Sequence, residues 1–185
     1  MSEVIVLDAC VLVPMPLCGT LLRLAEEPAM YRPLWSQRIL LEMGNALEKK
    51  LKRSAFQRDR RVLAMRAAFP EAEVSFPEDL AKAVTCIPDL NDRHVVAAAI
   101  FGSANVIVTL NKKHFPASCI EQYDLVCQTP DEFLVGQFQL SPDLVLEKVD
   151  LQAATLGQER SFVVQQLRKM APLFAGLVEK GIAGI

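Results

Sequence analysis

The stretch VIVLDACVLVP, residues 4–14, sets one carboxylate, Asp8, inside an otherwise apolar run. The β-branched, uniformly apolar VIVL before it suits a strand covered on both faces, as at the centre of a parallel sheet. A carboxylate at the end of such a strand is costly to bury unless it caps a helix or meets a cation. No basic residue stands beside it in sequence. The same pattern returns at VIVT, residues 106–109, a second buried strand that ends on a small polar side chain.

Helical patterns lie between and after these strands. Residues 17–27 form a helix stopped by Pro28, and Pro33 breaks the chain again. The stretch 35–53, WSQRILLEMGNALEKKLKR, spaces Trp35, Ile39, Leu40, Met43, Leu47 and Leu51 at helical intervals, with Ser36 as N-cap. Another helix covers 54–69 and ends at Pro70, and a connection with a short strand near 74–76 follows. The sequence DLNDRHVVAAAIFGSA opens a helix with acidic caps and closes it near Gly102. A third strand is expected at 124–127, then helices at 130–138, 142–157 and 159–180. Short buried strands alternating with helices predict an α/β fold, a parallel sheet with helices on both faces. Residues 1–137 form the expected domain. Residues 138–185 form a helical extension, packed on that domain or used in oligomerisation.

Composition narrows the classes. The 185 residues are 51% hydrophobic and 23% charged, enough apolar material for a sizeable core. Twenty basic against 22 acidic side chains, net charge −2, exclude a globally basic nucleic-acid binder but not a local basic patch. The five cysteines are odd in number and contain no CxxC pair, which argues against a disulfide framework or a thiolate zinc site and for small buried hydrophobes in a reducing cytosol. No signal peptide is evident, and no apolar run approaches the ~18 residues a membrane span needs. The expected location is cytoplasmic. No glycine-rich phosphate loop occurs.

In parallel α/β sheets, ligands bind at the carboxyl ends of the strands. Asp8, Thr109 and Asn111 fall there, and Asp89 and Asp92 open a helix that faces the same edge. Asp92 serves equally as a helix cap. Glu42 lies between Ile39 and Met43, either reaching solvent from the margin of the apolar face or turning inward to join Asp8. Carboxylates gathered in one pocket need a cation, and oxygen donors favour Mg2+ or Mn2+, ions that activate water and polarise a phosphodiester. His94 and His114, the two histidines, lack zinc-ligand spacing. The basic run EKKLKRSAFQRDRR, 48–61, is either a solvated helix face or a phosphate track through Lys49, Lys50 and Arg53 toward Glu42, with Lys112 neutralising phosphate beside Asn111.

Taken together, LDACVL after a strand, LLEMGNAL on a helix, PDLNDRHVVAAAI and the strand end IVTLNKKHFP resemble a PIN domain of the VapC-type branch, over roughly residues 3 to 135. The resemblance implies a magnesium- or manganese-dependent endoribonuclease that cuts single-stranded regions of RNA. It implies Asp8, Glu42 and Asp92 as catalytic metal ligands, Asp89 as an extra carboxylate, and Thr109 and Asn111 in support. It further implies a cognate antitoxin and a homodimer. Two positions depart from the family pattern: Cys10 stands where members often carry Asn or Ser, and NKKHFP puts His114 where NxxDFP has an aspartate. A catalytically silent PIN-like module that binds RNA or protein is the alternative. A phosphate-handling α/β domain with a nucleophilic Asp8 is a third reading.

Overall fold

The computed structural model describes residues 3–181, so the ends of the expected domain and extension, residues 1–2 and 182–185, lie outside the described residues. The elements run β1 (Val4–Leu7), α1 (Ala9–Leu12), α2 (Met15–Ala25), β2 (Arg32–Ser36), α3 (Gln37–Leu51), α4 (Ala55–Ala68), β3 (Glu73–Val74), α5 (Glu78–Ala83) and α6 (Arg93–Phe101). They continue with β4 (Val106–Val108), α7 (Ala117–Ile120), β5 (Val126–Gln128), α8 (Pro130–Leu140), α9 (Pro142–Thr155), α10 (Arg160–Leu167) and α11 (Pro172–Lys180).

The five strands form one parallel sheet in the order β3-β2-β1-β4-β5. VIVL is the central strand, with Val6 opposite Leu34 on one side and Ile107 on the other, which is why its side chains are apolar on both faces. The chain steps from β1 outward to β3, then crosses back to β4 and β5. With right-handed crossovers, that reversal puts α1 to α4 on one face and α5 to α7 on the other. α6 lies across β1, β2 and β4, and its alanine-rich middle, Ala97 to Ala99, permits close approach. The reversal makes the carboxyl ends of β1 and β4 the topological switch point, the place where open α/β sheets bind ligands.

Several expectations change. Trp35 belongs to a strand, RPLWS, rather than to the helix after it. Pro33 is tolerated in β2 because Arg32 donates toward β1 and Trp35 toward the β3 side, so the missing N–H points past the end of short β3. Ser36 caps α3 as expected, accepting from the Ile39 N–H at 3.3 Å. The helix expected over 159–180 is two helices, since Pro172 starts α11 and cannot donate into α10. α2 begins earlier and ends at Ala25, and the last strand starts at Val126. Neither α1 nor α5 was legible beforehand.

The segment after residue 138 shares the core of the sheet. α9 packs on α2, α11 on α8, and α10 on both α9 and α11. Val149, Val164 and Phe174 join one continuous apolar cluster with Ile5 and Ile107. Two polar side chains seal the seam: buried Lys148 donates to the carbonyls of Glu26 and Glu27 at 2.8 and 3.0 Å, and Gln152 accepts from Thr20 at 2.8 Å. The cysteines also depart from expectation. Cys86 and Cys119 form a disulfide across a Cα separation of 5.4 Å, while Cys10, Cys18 and Cys127 are free thiols. Among the described residues, no helix is long and apolar enough to cross a membrane.

Candidate active site

Asp8 follows β1 directly, its N–H bonded to the Val108 carbonyl of β4 at 3.1 Å. It stands at the N-cap of α1, yet its carboxylate caps nothing. Oδ2 instead accepts from the Thr109 hydroxyl at 2.6 Å and from the Cys10 thiol at 3.1 Å. Thr109 is fully buried and Asp8 is 7% exposed, so these donors replace water that the carboxylate has lost. The same two groups accept in turn: Thr109 Oγ1 from the Asn111 N–H at 3.0 Å, and Cys10 Sγ from the Leu110 N–H at 3.2 Å. Burial, with the neighbouring Asp8 charge adding to it, pushes the Cys10 thiol up to about 12. It therefore stays protonated and serves as a donor to Asp8.

Asp92 sits at the N-cap of α6 and, like Asp8, makes no side-chain cap bond. The capping explanation thus fails for both carboxylates. Asp92 Oδ2 lies 2.8 Å from Nδ1 of His114, which ends the single 3₁₀ turn Lys112–His114 after β4. Asp89, on the loop before α6, accepts from the Asn91 N–H at 2.9 Å. Asp89, Asp92 and His114 each offer one ligand atom, and these atoms lie within 4.8 Å of one another. Burial raises the Asp92 carboxyl above its ordinary range; His114 opposes the rise, and the charges of Asp89 and Asp8 add to it. Asp8 is therefore close enough to act on Asp92, although its own oxygens are not part of that trio.

Glu42 turns toward α6 rather than away from the protein. Its Oε1 is 3.3 Å from Nε of Arg38, one helical turn back, and 3.0 Å from Nε2 of His94. His94 is buried, and neither ring nitrogen has a well-aligned hydrogen-bond partner. Arg38 also reaches Oδ1 of Asn91 at 3.5 Å, linking Glu42 to the loop that carries Asp89 and Asp92. Burial pushes the Glu42 carboxyl up, but the approach of His94 and then of Arg38 outweighs it and holds the group below its ordinary range. Glu42 is thus matched with Arg38 and His94 of the protein itself and stands outside the trio of converging ligand atoms.

The basic residues divide. Lys49, Lys50 and Arg53 are exposed at the end of α3 and just beyond it. Arg58 is bound to Glu48 and Asp59, each at 2.7 Å, and Arg61 turns inward to the carbonyls of Val13, at 3.1 Å, and Leu12. Lys112 grips both oxygens of Glu132 at 2.9 Å, and Asn111 is exposed beside it. Three site residues escaped the sequence reading. Arg38 was signalled by its i,i+4 spacing to Glu42. His94 gave no signal, lying in an apolar helix, and His114 looked like the loss of an acid rather than a partner for one.

Over 49 residues, 26% of the chain, the sequence is 49% identical to a Mycobacterium tuberculosis protein named "Putative ribonuclease VapC50"; the match spans 29% of that protein. The family model described as PIN domain matches residues 4–113, more than half of the 185-residue chain. That stretch holds Asp8, Glu42, Asp89, Asp92 and Thr109 and stops one residue before His114, and it establishes that the chain belongs to the PIN domain family.

Proposed function

We propose that this PIN domain is a ribonuclease dependent on Mg2+ or Mn2+, cleaving single-stranded regions of RNA as the toxin of a toxin–antitoxin pair. One observation carries the reading. Two strand- and helix-end carboxylates, Asp8 and Asp92, decline the caps open to them and lie by the topological switch point of the sheet. The donor set suits a divalent cation: carboxylate oxygens from Asp89 and Asp92 with one imidazole from His114, a mixture more congenial to Mn2+ than to Mg2+. Bound there, such an ion supplies a Lewis acid and counter-charge for a phosphodiester.

The chain's own groups do the rest. Thr109 and Cys10 hold Asp8 in one orientation. His114 aligns Asp92. Arg38 and His94 keep Glu42 ionised at the margin, ready to accept a proton or to turn toward a cation. Lys49, Lys50 and Arg53 offer phosphate contacts on the α3 side. An antitoxin and a second copy of the chain belong to the same reading, and the exposed Leu41, Phe56 and Leu63 of α3 and α4 give apolar surface for such contacts.

Purified protein incubated with single-stranded RNA should cleave it with Mn2+ or Mg2+, fall silent on chelation, and lose activity in Asp8→Asn. Cleavage that survives either treatment overturns the proposal. The pairing of Glu42 with Arg38 and His94 favours the second reading, a module that binds RNA without cutting it. RNA retention without cleavage at any metal concentration would support that reading instead.

A further inference from the structure

We infer that Cys86 and Cys119 form a redox modification site, a thiol–disulfide clasp that sets the order of the loop carrying Asp89 and Asp92. The loop from Val84 to Asp92 contains no helix or strand. Ile87 anchors it in the core, and Arg93 of α6 holds it through the carbonyls of Ile87, at 3.0 Å, and Thr85, at 3.2 Å. Opposite runs the segment that holds His114 and leads into α7. Two ties join these segments near their ends: the Asp92–His114 contact at 2.8 Å and the Cys86–Cys119 bond. Breaking the covalent tie leaves only non-covalent contacts to keep the loop against its partner, the Asp92–His114 pair at one end and Gln122 at the other.

The surroundings of the sulfurs give the exchange a direction. Cys86 is exposed, whereas Cys119 is 3% exposed beneath it. A solvent thiolate therefore attacks the Cys86 sulfur and Cys119 leaves as the thiolate; a second solvent thiolate then displaces Cys86 from the mixed disulfide, so that both cysteines end as thiols and the reagent leaves as its own disulfide. Gln122 stands over the pair, its Nε2 bonded to the Cys119 carbonyl at 2.7 Å and placed 3.3 Å from Cys86 Sγ. It thereby keeps the two cysteines in register when they are reduced. Re-oxidation needs an acceptor such as a hydroperoxide. Its O–O bond breaks, the S–S bond forms, and both thiol protons leave in the alcohol and water produced. Cys10, Cys18 and Cys127 lie apart from this chemistry as half-buried or buried thiols.

The consequence for cleavage rests on the ribonuclease reading, but the clasp is testable without RNA. The full chain, purified without reductant and treated with hydrogen peroxide, is alkylated in denaturant before and after dithiothreitol. Cys86 and Cys119 should label only after reduction. Hydrogen exchange in the native state should then rise about tenfold or more in residues 84–92 and 112–120 on reduction, with the α9 and α10 amides unchanged. The double variant Cys86→Ser/Cys119→Ser should exchange at the reduced rate whatever the reagent. Labelling of both thiols after peroxide, or exchange that ignores reduction, overturns the inference. Absence of RNA cleavage in both redox forms would count against the ribonuclease reading alone.

Discussion

Replacing Thr109 by valine isolates the bond that holds the central carboxylate. Valine keeps the shape of the side chain and removes only the hydroxyl, which donates to Asp8 Oδ2 at 2.6 Å from a fully buried position. A hydrogen bond to a charged group contributes ~1.5–3 kcal/mol net. Of the hydroxyl's other partners, the Asn111 N–H belongs to an exposed residue and regains water, and Cys10 Sγ, 3.2 Å away, keeps its own contact with Asp8, so both add little. The expected loss is therefore about 2 kcal/mol, a fall in Tm of roughly 4–8 °C for a chain of this size. Thr109→Ser, which retains the hydroxyl, should lose only about 1 kcal/mol for the buried methyl. Urea unfolding of Thr109→Val, Asp8→Asn and the double variant should give a coupling of about 1.5 kcal/mol or more. Equal losses for valine and serine, or a coupling below about 0.5 kcal/mol, would refute the claim that Thr109 satisfies Asp8.

Burial and neighbouring charge raise the Asp92 carboxyl, so its ionised form costs the metal-free fold and stability falls as pH rises through the carboxylate range. Asp92→Asn should then melt at the same or a higher temperature than the wild type at neutral pH, and Mn2+ should raise the Tm of the wild type but not of the variant, as calorimetry would read directly. Glu132 behaves oppositely: the Lys112 ammonium, with the Thr129 N–H, holds its carboxyl below the ordinary range. Glu132→Gln keeps the capping box and should cost under about 1 kcal/mol for this exposed pair at neutral pH. In urea melts that difference should vanish as pH falls below the carboxylate range. Lys148→Met removes the buried ammonium that donates to the Glu26 and Glu27 carbonyls, at roughly 1–3 kcal/mol in all, and should loosen the α2–α9 seam so that proteolysis starts near residue 140. Adding charge at α3 separates the last question: Lys49→Glu with Lys50→Glu should weaken RNA retention by an amount that shrinks in high salt, with no change in melting temperature.

Much of the fold was legible because it rests on local rules. VIVL and VIVT read as buried strands since each meets neighbours on both sides. Ser36 announced its helix through capping chemistry that spans three residues. β2 hid because RPLWS contains a proline and joins a helix without a turn between them. The α10–α11 break hid because the apolar spacing runs on through Met170, while Pro172 forbids a continuous helix.

By itself, the sequence determined that an acidic group would end the central strand and that further acids would lie on the same edge, since strand and helix order dictate which ends meet. Which acids share a pocket was left to the tertiary structure. His114 lies 22 residues from Asp92, His94 lies 52 from Glu42, and Cys119 lies 33 from Cys86. Such pairs depend on how two loops and two helices close over the sheet, to within an ångström. Periodicity carries no record of that distance, and only packing sets it.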